Sequence, residues 1–464
     1  MTTWPDLPVE FSGVRELRGP LMVVQGVETV GWDAFVVVRD GESVRHGLVL
    51  EVADDLAVVQ VLEGTEGLDP ERLRVSFTSE PLRIPVGPGW LGRTCSGRGE
   101  PIDEGPPITG ARSAPVAGLP LNPTRREPPS EPVITGISVI DALMTLVRGQ
   151  KLPIFSVPGL PHLDLAAQIA AQATTGKDPF SVVFAGMGLT HADADSVQGV
   201  LQERSTAGEL VLLLNTADDP AVERILTPRI ALTVAEHLAF EMGRHVLVVL
   251  ADMTSYAEAL REVSAARGEM PGRRAYPGYL YSDLASLYER CGRIRGVPGS
   301  LTVLPVLTMP AGDITHPVPD LTGYITEGQV VLGQDAHARG VYPPVDALAS
   351  LSRLMRSGAG PKRTRDDHLA IAGQLLSALA RAQQVRELVD VVGTGALGET
   401  DRSYLDFSAA FERILVHQLP DEARSLDDTL DLCWRVAHAL PERELTMVPA
   451  EMVLAHRAAG EPER

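Results

Sequence analysis

The chain has 464 residues, more than one hydrophobic core ordinarily supports, so two or three domains are expected. Apolar residues make up 44% and aromatics 5%, an Ala-, Val- and Leu-rich balance that favours an α/β architecture over an aromatic-rich sandwich. Against 41 basic residues stand 61 acidic ones, and the net charge of -20 excludes a general grip on nucleic-acid phosphates.

Cys95, Cys291 and Cys433 are too few and too dispersed for a disulfide framework or a cysteine-rich zinc site, which fits a reducing compartment. No basic start followed by an apolar run opens the sequence, and its longest apolar runs fall far short of the roughly 20 residues of a membrane span. The expectation is a soluble chain that meets a membrane only through partners.

Over residues 21–77 the segments LMVVQGV, AFVVVRD, RHGLVLEV and LAVVQVLEG are broken by Gly26, Gly31, Gly41 and Gly64. Short strands with Gly turns predict a β-barrel of about six strands. It offers no aromatic platform for stacking bases, so it reads as a structural collar. Residues 81–132, Pro- and Gly-rich and including Cys95, read as an extended linker draped over a domain. The next stretch, 135–150, predicts one helix with Ile137, Ile140, Leu143 and Val147 on a common face.

The chain is organised around RGQKLPIFSVPGLPHLDLAAQIAAQ, residues 148–172. An apolar strand at 152–157 runs through a Pro/Gly turn into a helix, the setting in which a helix N-terminus binds phosphate. A working loop reads G-x-x-x-x-G-K-[ST], with a Lys for the terminal phosphates and a hydroxyl for Mg²⁺. With Ser156 in the first position, Pro161 stands at the second Gly, His162 at the Lys and Leu163 at the hydroxyl. Pro158 and Pro161 have no N–H to give. Ser156, Gly159 and His162 are therefore the candidate contacts of a degenerate phosphate loop with weak or no binding, and no metal site is expected in it.

Strands at 181–187, 210–215 and 245–253 alternate with helices at 192–207 and 225–243, predicting a mainly parallel sheet covered on both faces. The last of these strands leads to Asp252, where such folds keep an acid that helps hold Mg²⁺. Beside a defective loop, a carboxylate satisfied by local N–H groups is the better reading. MPGRRAYPG, 270–278, is a rigid loop with paired arginines. YPPVDALASLSRLM, from Tyr342, passes into a turn that presents Arg353, and helical spacing at 366–392, 403–418 and 425–440 predicts a helical C-terminal domain.

Six blocks carry a family likeness: TGISVIDALMTLVRGQKLPIFS, GLPHLDLAAQIAAQA, LNTADDPAVERILTPRIALTVAEHLAFE, VLADMTSYAEALREVSAAR, PGRRAYPGYLYSDLASLYERCGRI and ITHPVPDLTGYITEGQVVLG. Through them nearly the whole chain resembles the B subunit of V/A-type rotary ATPases and ATP synthases, the non-catalytic, regulatory component with a nucleotide fold. The resemblance implies an N-terminal β-barrel at 1–78, a central α/β domain of the RecA or P-loop type at 79–345 and a C-terminal helical bundle at 346–464. It further implies three copies alternating with three catalytic A subunits around a central rotor stalk, tied to peripheral stalk subunits at the cytoplasmic face of a membrane. ATP or ADP with Mg²⁺ would lie at the A/B interface, bound mainly by the catalytic neighbour, and turnover would be coupled to proton transport. Arg353 in SLSRLM matches the arginine that B subunits insert into the neighbour's catalytic site, and 271–278 matches the loop that bears on the rotor.

Two departures stand out. This chain has Val157 and Pro158 where the family usually has Gly and Ser, and Ala275 where Gly is usual. The alternative function is a self-sufficient hexameric nucleoside triphosphatase, a helicase or secretion motor. It would need its own Lys and Mg²⁺ hydroxyl, and a nucleic-acid motor would show basic loops; the sequence has none of these.

Overall fold

The computed structural model describes residues 10–27, 30–31, 34–53, 55–110, 112–393, 395 and 397–457. Seven antiparallel strands, one more than expected, form the N-terminal barrel: Glu10–Phe11, Arg74–Pro81, Ala34–Asp40, Ser43–Ala53, Leu56–Val61, Leu21–Gln25 and Val14–Arg18 in spatial order. Alternation sends Met22, Val24, Val36, Val38, Val59, Val61 and Val75 into a core of their own. Asp40 and Ser43 pair across a two-residue turn whose first residue, Gly41, has φ 61°, the left-handed conformation that tight hairpins require.

The central sheet has Leu351–Ser352, Gly328–Val331, Ile154–Ser156, Ser300–Thr308, His245–Ala251, Phe180–Leu189, Leu210–Thr216 and Arg93–Ser96 side by side. The pairings are parallel along this path except at Leu351–Ser352, which returns antiparallel to Gly328–Val331. His245–Ala251 is buried at every residue, as a strand covered on both faces must be. Helices His162–Gln172, His191–Thr206, Ala221–Glu236 and Met253–Ala266 provide the cover.

Two sequence expectations give way here. Residues 81–132 are not merely a draped linker: Arg93–Ser96 is an edge strand of the central sheet, and Trp90, 1% exposed, buries its ring while its indole N–H donates to the Pro85 carbonyl at 2.8 Å. Its prolines are accommodated within these pieces, Pro88 at the start of the turn Pro88–Trp90 and Pro85 inside the short strand Arg83–Val86. The helix expected at 135–150 spans only Ser138–Leu143, because Leu146–Val147 pairs with Pro132–Val133 as a short antiparallel strand and Gly149 turns the chain at φ 87°. Apolar spacing alone could not separate a helix from buried turns of this kind.

Helices His368–Val392, Glu399–Ala410, Leu426–Ala437 and Ala450–Arg457 make the C-terminal domain. It is pinned to the central one by buried bonds: the Ser138 N–H donates to Gln418 Oε1 at 3.1 Å, and His368 Nε2 lies 2.9 Å from the Ala142 carbonyl oxygen.

Candidate functional site

Strand Ile154–Ser156 delivers the chain to the turn at 157–161, and Gly159 has φ 90°, which only glycine takes without strain. The helix that follows, His162–Gln172, has Pro161 before it and no side-chain cap. The turn satisfies itself. The Leu160 N–H donates to the Val157 carbonyl at 3.4 Å and the His162 N–H to the Leu160 carbonyl at 2.8 Å, while Pro158 and Pro161 have no N–H. Four positions of the turn are thereby withdrawn from any incoming phosphate. Ser156 Oγ donates to the Val157 carbonyl at 2.9 Å and is fully buried, beneath the groove rather than in it.

The groove above the turn has a volume of about 500 Å³ and is lined by Gly159 and His162 together with Asp164, Asp193, Asp252 and His337. No Lys or Arg is among its lining residues. Three carboxylates facing the place of a triphosphate repel it, and imidazoles cannot offset them as the usual lysine does. His162 Nδ1 lies 2.8 Å from the Leu160 carbonyl oxygen, so that nitrogen is turned back onto the backbone.

Asp252 caps helix Met253–Ala266: its Oδ1 accepts the Thr254 N–H at 2.5 Å and its Oδ2 accepts the Thr308 hydroxyl at 3.0 Å. Burial pushes its carboxyl above the usual carboxylate range, against the pull of the Thr254 N–H and the His162 imidazole. This is the locally satisfied carboxylate, occupied by capping and not held out for a metal. The groove's residues do not fit a magnesium nucleotide: no hydroxyl stands at Leu163 and no ammonium at His162.

Arg353 is not brought to this groove. It follows the edge strand Leu351–Ser352, whose Ser352 pairs with Gly328 at the start of Gly328–Val331, so it lies at the opposite end of the sheet from the turn. Close approach there requires glycine: a Cβ on Gly328 would sit 2.3 Å from the Leu351 carbonyl oxygen. The Arg353 N–H donates to the Glu327 carbonyl at 2.9 Å, and its guanidinium Nη1 donates to the Thr326 carbonyl at 3.3 Å. The side chain is exposed, and among the described residues no carboxylate pairs with it. Thr326 and Glu327 lie within ITHPVPDLTGYITEGQVVLG, but nothing in that block marks them as neighbours of Arg353; their place beside the edge strand does.

With this geometry in view, three segments match known domains: 14–79 the β-barrel domain of the ATP synthase alpha/beta family, 136–352 its nucleotide-binding domain, and 357–457 the C-terminal domain of V and A type ATP synthase. The chain is 51% identical, over 96% of its length and 96% of the relative's, to the B subunit of the A-type ATP synthase of Aeropyrum pernix. The chain belongs to the B-subunit family of A/V-type ATP synthases. A solved ATP synthase component, NeqB from Nanoarcheaum equitans, has a TM-score of 0.72 and 35% identity, with 91% of this chain and 100% of that one covered. Barrel, nucleotide-binding-type domain with a mostly parallel sheet, and helical C-terminal domain are the architecture of this B-subunit family, as the sequence led one to expect. Among the described residues no helix is long and apolar enough to cross a membrane.

The 270–278 loop folds back on itself through a Pro271–Pro277 bridge. Arg273 reaches the Thr315 carbonyl at 2.9 Å and Arg274 pairs with Asp313 at 2.6 Å, so both arginines are held by the loop's own neighbourhood while Met270 stands 90% exposed beside them.

Proposed function

We propose that this B subunit alternates with catalytic A subunits in a ring of three copies each and places Arg353 in the neighbour's catalytic site. ATP or ADP with Mg²⁺ is held there mainly by that neighbour. A planar guanidinium offers fixed donors to the charge that develops on a transferring phosphoryl group, which is how one residue contributes to a reaction it does not otherwise host. The observation that supports this reading best is an exposed guanidinium, free of carboxylate partners among the described residues, at the far end of the sheet from a groove unfit for nucleotide. The 271–278 loop bears on the central rotor stalk, the barrel ties the ring into a collar, and peripheral stalk subunits hold it at the cytoplasmic face of the membrane, where turnover is coupled to proton transport.

The test is a ring reconstituted from this chain and its catalytic partner. Arg353→Ala assembles normally and loses ATP turnover by roughly 10³- to 10⁵-fold, the range for arginines supplied in this way. Normal hydrolysis by the assembled variant ring would remove the assignment.

A further inference from the structure

Gln150 is 0% exposed and every polar atom of its side chain is used. Its Oε1 accepts the Val147 N–H at 2.9 Å, and its Nε2 donates to the Glu327 carbonyl at 3.2 Å and to Ser352 Oγ at 2.9 Å. The partners fix which way the amide points: reversed, it would set two acceptors together at Glu327 and two donors together at Val147. Ser352 sends its own hydroxyl hydrogen to the Thr145 carbonyl at 3.2 Å, which leaves its oxygen free to accept from Gln150.

These two acceptors are the ones that determine where Arg353 begins. Ser352 precedes it in the chain. The Glu327 carbonyl takes the Arg353 N–H on one lone pair and the Gln150 amide on the other. The next residue, Lys151, locks the same segment again: its N–H donates to Glu327 Oε2 at 2.8 Å, and its Nζ pairs with Glu327 Oε1 at 2.8 Å and Glu289 Oε1 at 3.1 Å. An amide enclosed in the protein interior cannot touch a nucleotide held by a neighbouring chain, so any effect it has on the reaction must pass through Arg353.

We propose that Gln150 is a positioning residue for Arg353: its amide sets the register of the edge hairpin against the strand leading to the defective turn, and so the place at which the guanidinium leaves the surface. The inference rests on Arg353 acting in trans. Positioning matters at this distance because a misplacement of about 1 Å in a reacting constellation can cost roughly 100-fold in rate.

The experiment uses the reconstituted ring with Gln150→Glu, which keeps the acceptor for Val147 but turns the donor into a second acceptor, and Gln150→Met, which keeps the length and removes both functions. Turnover of ATP is measured beside trapping of ADP with aluminium fluoride, which mimics the transferring phosphoryl group. In rings that assemble, the expected result is a kcat lower by about 10- to 100-fold, a KM for ATP changed by less than about threefold, and a matching loss of the fluoride-trapped complex. In an Arg353→Ala background neither Gln150 variant lowers the residual rate further. Full kcat in an assembled Gln150 variant ring, or an equal loss with Arg353 already removed, would overturn the proposal. A slow Arg353→Ala ring beside full-speed Gln150 variants removes the positioning role alone, whereas a full-speed Arg353→Ala ring removes the reading beneath it. Ser352→Ala deletes one acceptor without entering the interior and gives a smaller loss of the same kind; failure of all three variants to assemble would make Gln150 purely structural and also overturn the proposal.

Discussion

His162 Nε2 stands 3.9 Å from Asp252 Oδ2 across the groove, each side chain already engaged on its other side, His162 with the Leu160 carbonyl and Asp252 with the Thr254 N–H. A pair so committed leaves neither a cation for a terminal phosphate nor a free carboxylate for Mg²⁺. The isolated chain is accordingly expected to bind MgATP no tighter than about 100 μM, equivalent to only about 5.5 kcal/mol. Calorimetric titration that returned a sub-micromolar dissociation constant would contradict this account of the groove.

On the role proposed for Arg353, charge alone should not be enough. Arg353→Lys keeps the positive charge but replaces a planar fork by a compact ammonium whose geometry cannot serve two phosphoryl oxygens in parallel. The reconstituted Arg353→Lys ring should turn over ATP at least about 100-fold more slowly than the parent, better than Arg353→Ala but far from rescue. Steady-state hydrolysis by the assembled rings measures it, and a lysine ring within a few-fold of the parent would mean that bulk electrostatics suffices.

The Ala275 departure from the family pattern has a local physical cost. Ala275 takes φ 63° and its neighbour Arg274 φ 54°, both in the left-handed region where a Cβ is strained. Glycine at 275 removes a strain of about 1–2 kcal/mol but gives back about 0.4–1 kcal/mol through the more flexible unfolded chain. Ala275→Gly should therefore leave stability unchanged or raise it by up to about 1.6 kcal/mol, and Ala275→Val, β-branched at positive φ, should lower it. Urea unfolding of the two variants compares them; a valine variant as stable as the glycine one would show that the loop does not hold this conformation.

Much of this was readable in the chain, and what escaped did so for definite reasons. The turn at 157–161 betrayed its defect through residue identity alone, since no fold can give proline an N–H or leucine a hydroxyl. The role proposed for Arg353 rests on family likeness, because its placement depends on Gly328, Thr326 and Glu327, which share no local pattern with it. The groove's other acids, Asp164 and Asp193, come from separate helices and converge only once the sheet forms. Strands Ser300–Thr308 and Gly328–Val331 went unassigned: Pro305 interrupts the first, and four residues give the second too little pattern. Gln150 drew notice as part of RGQ, yet a sequence does not reveal which buried amide is saturated with partners.

Ion pairs span the junction of barrel and central domain. Arg98 serves three carboxylates at once, Glu63 at 2.7 Å, Glu100 at 3.0 Å and Glu223 at 3.2 Å, so none is fully neutralised. Glu223, with 5% of its side chain exposed, has its carboxyl pushed up to about 7, chiefly by burial and then by the nearby Asp219. A carboxyl whose native value lies above its unfolded value near 4.5 binds its proton more tightly in the folded state. It therefore contributes stability below the unfolded value, and that contribution is lost as pH rises towards 7, at about 1.4 kcal/mol per pH unit. Glu223→Gln does not titrate and keeps the shape of the protonated acid. The parent chain should lose stability relative to the Gln variant between pH 5 and pH 8, with the gap constant above that window; denaturant midpoints of both proteins at pH 5, 6, 7 and 8 test the slope. A parent that gained stability over the variant as pH rose would show Glu223 to be an ordinary ionised partner of Arg98.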